Sequence, residues 1–584
     1  MWRSTVSEAW GLPTNQEDPT RTPLITDSTN SVAIREPIRK SLPVRRLQIW
    51  GPEERDGEAS VIGHRNRPLP YTGPDTAAQL AALKYLQYVA AEQESAVDLD
   101  FVARRWLLPV VVALQVALSA RLIWANTAFQ DEGLYLWAGH LEWAHWLHGT
   151  QIPDYASYFS GAPVLYPPLG ALANHYGGLA GARLLSLAFM LLATTLLHGI
   201  TRRLFNRGAA NFAAFLFAVL GATEFLGAFA TYDAMALTLM ALSVWIAVVS
   251  AGRGSAVRTA LLLLSGVVCA LADATKYATA LWTPIVIGLV VLLVWRRSGR
   301  GAGMAAGGVF TVGVALSIVL GLHRGGESYW QGIKFTTLSR QQGGASPVGV
   351  LYTSLGWIAV VVVLAVMGAI MTSGSRRGRS QTAIAWLFVV AGLLAPLEQA
   401  RIGTFTSLFK HVGYGGWFAC VVAGVALAAF IQSVPAAKAG RAIAASLAIA
   451  VLAMVSGILL AGSHFQGWPT ATSLVSYLKP IAGDGKILAE DDPVLEYYLP
   501  GVRWKNWQAI NVNDDVSMFR GQILTGQYAA VVFDYVDTTP LDLKLRQLLA
   551  QSGRYKLARS FDVPQRLGPY TQYAVWTRIS KGPI

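Results

Sequence analysis

Cysteine is nearly absent from this chain: there are two in 584 residues, Cys269 and Cys420, and both fall inside apolar runs. A disulfide framework and a cysteine-based metal site are therefore not expected. Charge is scarce as well, at 14%, where soluble proteins carry roughly 25%. The opening MWRSTVSEAWGLPTN has no apolar core, so no cleavable signal peptide is expected. The last 120 or so residues lack a Gly-rich phosphate loop, which leaves nucleotide binding there without support. What the chain has in quantity is apolar surface: 53% of residues are hydrophobic and mean hydropathy is +0.40. Several runs approach the ~20 residues needed to cross a hydrocarbon core.

Three regions follow from the pattern. Residues 1–104 form a polar arm of mixed charge, with SLPVRRLQIWGPEERDGE typical of it. The first 70 or so read as disordered, and TAAQLAALKYLQYVAAEQ reads as a surface helix capped by Asp75. Residues 105–462 hold about eleven candidate spans, near 106–124, 178–199, 209–230, 232–250, 258–274, 277–295, 302–322, 348–371, 382–399, 412–432 and 442–462. Residues 463–584 alternate strand-like and helix-like segments and predict a small α/β domain. In that domain EDDP, from Glu490, reads as a strand end running into a helix N-cap.

The arginines set an orientation. With the N-terminus inside, every inner loop is basic, including Arg202, Arg203 and Arg207, then Arg296, Arg297 and Arg300, then Arg376, Arg377 and Arg379. The long outer loop from Asn126 to Gly177 has no Lys or Arg. This is the positive-inside pattern. It accounts for most of the net charge of +13 and argues against a nucleic-acid partner. An odd number of spans places the C-terminal domain outside.

Charges that break the pattern gather at the outer boundary. They are Asp131 and Glu132, Glu224 and Asp233, Asp273 and Lys276, Glu398 and Arg401, and Lys410 with His411. A charge at the bilayer centre costs about 2.5–3.5 kcal/mol on insertion scales, and these residues avoid most of that cost near the interface. Snorkelling or capping explains each singly; a shared site explains them together. The outer cations Lys276, Arg324, Lys334, Arg340, Arg401 and Lys410 call for an external anion, and lipid phosphate is the natural one. QDEGLYLWAGHLEWAHWLH puts Asp131, Tyr135, Glu142 and His145 on one side of a helix. Trp137, Trp143 and Trp146 would anchor it flat on the outer surface.

Four stretches carry a family resemblance. QDEGLYLWAGH resembles an acidic DE motif in a first external loop. YPPLGALANHYGGLAGARLLS resembles a PPL segment followed by an Arg-Leu, here Pro167, Pro168, Leu169 and Arg183. TYDAMALTLMAL and DATKYATALW resemble span entries marked by a single Asp and a single Lys, here Asp233 and Lys276. Together they resemble the GT-C membrane glycosyltransferases that use polyprenyl-phosphate sugars, the protein O-mannosyltransferase and aminoarabinose-transferase branch. The later loops, SYWQGIKFTTLSRQQGG and RIGTFTSLFKHVGYGG, depart from the family pattern.

The resemblance implies a polytopic α-helical membrane protein of GT-C type with an extracytoplasmic C-terminal α/β domain. It implies transfer of a sugar from a polyprenyl-phosphate donor to an acceptor hydroxyl, with inversion. Asp131 is the expected general base with Glu132 beside it. Lys276, Arg183, Arg401, Lys410 and His411 are expected on the donor phosphate. Asp233, Glu224 and His140 are weaker candidates for acceptor or metal. A divalent cation is compatible with these side chains, though no ligand spacing is diagnostic. The acceptor is left open among glycan, lipid and protein, and membrane lipid is a further partner. An Ala-, Gly- and Arg-rich composition suits a bacterium of high GC content and its cytoplasmic membrane. The rival readings are a flippase or transporter of lipid-linked glycans, which should show midplane charges and an internal repeat, and a polysaccharide polymerase or ligase. Neither midplane charges nor a repeat is evident.

Overall fold

The computed structural model describes residues 106–579 apart from 341, 375–377, 491, 512–513, 536–538 and 564–570. The N-terminal arm and its expected helix after Asp75 lie outside the described residues.

Helices occupy each of the eleven apolar stretches, as they must where no water can satisfy the backbone. In chain order they begin with α1 (Leu107–Ile123), α2 (Gln130–His148), α3 (Tyr166–Leu204), α4 (Arg207–Ala218), α5 (Gly221–Leu226) and α6 (Tyr232–Ser250). Then come α7 (Ser255–Thr275), α8 (Thr283–Ser298), α9 (Arg300–Ile333), α10 (Pro347–Gly374), α11 (Arg379–Arg401), α12 (Leu408–Ser433) and α13 (Ala436–Phe465). Among the described residues eight of these helices are long and apolar enough to cross a membrane; α1 is a shorter apolar helix. The stretch near 209–230 is broken between α4 and α5 at Val219–Leu220. The one beginning at 277 opens with a 3-10 turn, Tyr277–Leu281, before α8. Helix α12 is the hub. Leu408 and every residue from Lys410 to Ala428 are buried, and α4, α10 and α11 pack round it.

The C-terminal part comprises α14 (Thr472–Leu478), β1 (Lys486–Ala489), α15 (Asp492–Tyr498), β2 (Trp507–Ala509) and α16 (Ser517–Thr525). It continues with β3 (Tyr528–Tyr535), α17 (Pro540–Gln551), β4 (Tyr555–Val563) and β5 (Thr571–Arg578). The sheet order is β2-β1-β3-β5-β4. Strand β1 is parallel to β2 and β3, and β5 is antiparallel to β3 and β4. Alternation along β3 sends Ala530 and Val532 to one face, with Leu474, Leu478 and Leu495. Val531 and Phe533 face the other way, with Phe519, Leu545 and Leu549. Helices thus cover both faces; β1 ends at Ala489 and a helix begins at Asp492, while the expected N-cap between them lies outside the described residues.

Glu490, at the end of β1, accepts from the Asp534 N–H. Burial, reinforced by the neighbouring Asp542 carboxyl, pushes its pKa up to about 10. The folded state therefore holds a proton that the unfolded chain releases near its ordinary 4.5. Its contribution is complete below that pH and is lost as pH rises toward 10. Melting temperatures measured between pH 5 and 9 should fall with pH, and Glu490→Gln should flatten the slope. An equal slope in the variant would remove Glu490 as its source.

Candidate active site

The DE pair is divided by helix geometry. Successive residues of a helix point about 100° apart, so Asp131 and Glu132 in the first turn of α2 face different surroundings. Glu132 turns inward. It accepts from its own N-cap, Phe129 N–H, at 3.0 Å, and from Ala230 N–H at 2.8 Å. Arg183 of α3 approaches it bidentately, Nε to Oε1 at 2.8 Å and Nη2 to Oε2 at 2.7 Å. The guanidinium also donates to the carbonyls of Ile123, Asn126 and Thr127. Both side chains are 0% exposed. Glu132, expected as a catalytic group, and Arg183, expected on the donor phosphate, thus meet in a buried pair that ties α1, α2, α3 and the Ala230 loop together.

Helix α2 is packed into the protein along much of its length. Leu136 and Ala138 are fully buried and Trp137 nearly so, while Trp143 donates to Pro168 O at 2.9 Å; Trp146 is exposed. Glycine permits the packing. A Cβ at Gly139 would lie 1.9 Å from Pro167 O, and one at Gly133 would lie 2.6 Å from Pro493 O. The first contact seats α3 on α2 and the second seats the C-terminal domain on it. That domain also holds the loop ahead of α2, through Tyr498 Oη accepting from Ala128 N–H at 2.9 Å.

Asp131 turns the other way, into a cluster of charges. Its Oδ2 accepts from Lys410 Nζ at 2.5 Å; the lysine side chain is 2% exposed and the aspartate 30%. Lys410 Nζ also stands 3.9 Å from Asp233 Oδ2, and Lys276 Nζ stands 3.7 Å from Asp233 Oδ1. Asp233 is fixed by Thr231 Oγ1 at 3.0 Å, and Tyr414 Oη donates to its backbone carbonyl at 3.0 Å. Its place in the first turn of α6 suits a negative charge. Lys276 sits between α7 and the following 3-10 turn, over the Tyr232 ring, with Nζ 3.4 Å from Ser160 Oγ. Burial lowers its pKa to about 8, against the pull of Asp233. His411 takes a hydrogen bond from Gln399 Nε2 on Nδ1 at 2.7 Å, and its buried Nε2 has no partner among the described residues.

The structure therefore gathers Asp131, Asp233, Lys276, Lys410 and His411 and leaves the other candidates apart. Glu224 pairs with Arg121 at 2.6 Å, His140 bonds Asn174 at 2.8 Å, and Arg401 makes an exposed pair with Glu398 at 2.6 Å. Each of these has a local partner that accounts for it. Among the described residues no three His, Cys, Asp or Glu side chains could hold a metal ion; Lys410 occupies the space between the two aspartates.

Sequence reasoning passed over several members. Arg340 acts electrostatically on Lys276, Lys410 and His411. In the sequence it is one outer cation among six, with no motif to mark it. Tyr232 bonds Tyr135 Oη and Ser160 Oγ, and only its adjacency to Asp233 hinted at a role. With two carboxylates against three cations, the cluster has one positive charge in excess and suits an anion.

Residues 142–339 match the family model described as dolichyl-phosphate-mannose-protein mannosyltransferase. The chain also superposes on the crystal structure of ArnT from Cupriavidus metallidurans. The TM-score is 0.55 at 16% identity, over 80% of this chain and 97% of that one. The fold is the GT-C fold. The same neighbour bound to undecaprenyl phosphate gives a TM-score of 0.55 at 16% identity, over 81% of this chain and 99% of that one. The oligosaccharyltransferase of Archaeoglobus fulgidus gives 0.52 at 13% identity, over 74% of this chain and 70% of that one. Sequence comparison with curated proteins finds no match. The GT-C resemblance drawn from the four motifs stands, as does the mostly helical architecture with its small terminal sheet domain.

Proposed function

We propose that the protein is an inverting glycosyltransferase that moves a sugar from a polyprenyl-phosphate donor to an acceptor hydroxyl at the outer face of the cytoplasmic membrane. The observation that carries this reading is the partly exposed Asp131 carboxylate beside the buried cations Lys410 and Lys276. The family match and the GT-C fold support it. So does the neighbour that was solved with undecaprenyl phosphate bound.

In this reading the donor phosphate lies against Lys276, Lys410 and Arg340. The acceptor oxygen attacks the anomeric carbon from the face opposite the phosphate, and the carbon–oxygen bond to phosphate breaks. The acceptor proton passes to Asp131, and the electron pair leaves on the phosphate oxygen, where the cations stabilise it. Asp233 stands near both lysines, offsets their mutual repulsion and favours their charged forms. The C-terminal domain, resting on α2, is placed to meet the acceptor.

The test is release of free polyprenyl phosphate. Purified protein is incubated with a panel of polyprenyl-phosphate sugars and membrane extract. Release with one donor, dependent on added acceptor and giving the opposite anomer, is the expected result. Retained anomeric configuration would exclude the inverting step. Folded protein that releases nothing from any donor, with every acceptor class supplied, would overturn the reading.

A further inference from the structure

A second charged site lies at the far end of the same helices. Helix α6 carries Asp233 in its first turn and runs 19 residues, about 28 Å at 1.5 Å per residue. Its last turn, with the loop that follows and the last turns of α3 and α8, encloses a cavity of about 270 Å³. Four arginines line it: Arg203 from α3, Arg253 from the loop, and Arg296 and Arg297 from α8. Buried Leu204 and Leu293 contribute apolar surface to the same lining.

Cations are favoured at helix C-termini, and positive loops are common on one membrane face. Those tendencies explain arginines at these ends. They do not explain why four of them, from three separate segments, converge on one hole. Nor is their mutual repulsion relieved by the protein: among the described residues no carboxylate lies within ion-pair distance of any of the four.

Two of them are also held in place. The Arg203 guanidinium stacks over Trp245, 4.1 Å from the ring centroid. Trp245 fits against the bare backbone of Gly199, where a Cβ would stand 2.6 Å from the ring. Arg297 lies across Gly252, its Nη1 2.8 Å from where a Cβ would be.

We propose that this cavity binds a phosphate-bearing anion, which in the membrane is the headgroup of an anionic phospholipid in the leaflet opposite the candidate active site. Guanidinium groups match phosphate oxygens in pairs. The leucines and valines in the same lining, Leu204, Val248, Val249 and Leu293, suit the start of an acyl chain, and basic pockets between helices recognise lipid headgroups in this way. The site is separate from glycosyl transfer and holds whether or not that reading does.

The test uses the full chain in detergent and native mass spectrometry, titrated with phosphatidylglycerol, with phosphatidylcholine, and with inorganic pyrophosphate as competitor. The variants are Arg253→Gln/Arg296→Gln/Arg297→Gln and, separately, Gly252→Leu, which keeps every charge but drives Arg297 out of the cavity. Binding of phosphatidylglycerol should weaken about fivefold for each arginine replaced, from roughly 1 kcal/mol per basic residue. Phosphatidylcholine should be unaffected. Gly252→Leu should weaken binding by a similar single step, and it reads the cavity even where the triple variant fails to fold. Phosphatidylglycerol that resists pyrophosphate identifies the ligand as lipid; displacement at low pyrophosphate identifies a soluble phosphate compound in the same site. Weakening in the triple variant but not in Gly252→Leu would reduce the effect to general surface charge and overturn the proposal, as would no change in either.

Discussion

Asp131→Asn is expected to slow sugar transfer by about 10²–10⁴-fold, the usual worth of a positioned general base. The substitution keeps the shape of the side chain and its place in the first turn of α2, but it cannot take a proton. The loss should fall on kcat. Removing a carboxylate 2.5 Å from Lys410 makes the surroundings more positive, so KM for an anionic donor should be unchanged or lower. That division separates a base from a binding group, whose loss would raise KM with kcat intact. Steady-state release of polyprenyl phosphate measures both constants. A variant that keeps kcat within threefold would remove Asp131 from the chemistry.

Breaking the Arg183–Glu132 pair should have the largest effect on stability. The five N–H donors of the guanidinium are all used, on Glu132 and on three carbonyls from Ile123 to Thr127. The carboxylate in turn holds the amides of Phe129 and Ala230. Arg183→Met leaves Glu132 charged, buried and without its counter-ion, a change that typically costs about 3–5 kcal/mol. Arg183→Lys should recover little, because an ammonium cannot reproduce the two-pronged contact or reach all three carbonyls. Arg183→Met/Glu132→Gln should be more stable than Arg183→Met alone, since the orphaned charge goes with its partner. Thermal inactivation half-lives in detergent will rank the three. A lysine variant as durable as the native protein would show that charge alone, and not the bidentate geometry, holds this junction.

Much of the membrane architecture was legible because its physics is one-dimensional. Length and apolarity mark helices, and arginine-rich loops suggest the sides. The terminal domain was legible for a similar reason, since the continuous apolar run YAAVVFDYV records a strand buried on both faces. The site was harder. QDEG announces two carboxylates, but which of them faces the cluster depends on helix phase and on what packs against each side. Asp131 meets Lys410 across 279 positions, and no local pattern encodes that distance. The buried state of α2 was missed for the same reason: Gly133 packs on Pro493 and Trp143 bonds Pro168, both contacts made by remote segments. Glu224 and Arg401 show the opposite failure. They share a boundary with the site in the sequence, yet Arg121 and Glu398 claim them locally.

The seat of the C-terminal domain has a mechanical consequence. Gly133 lies two residues from Asp131 and touches Pro493, while Tyr498 grips the loop that leads into the same helix. The final 120 or so residues are therefore no detachable appendage. The helix start that carries the carboxylate is thus clasped at two points by this domain, while Lys410 of α12 holds the carboxylate itself.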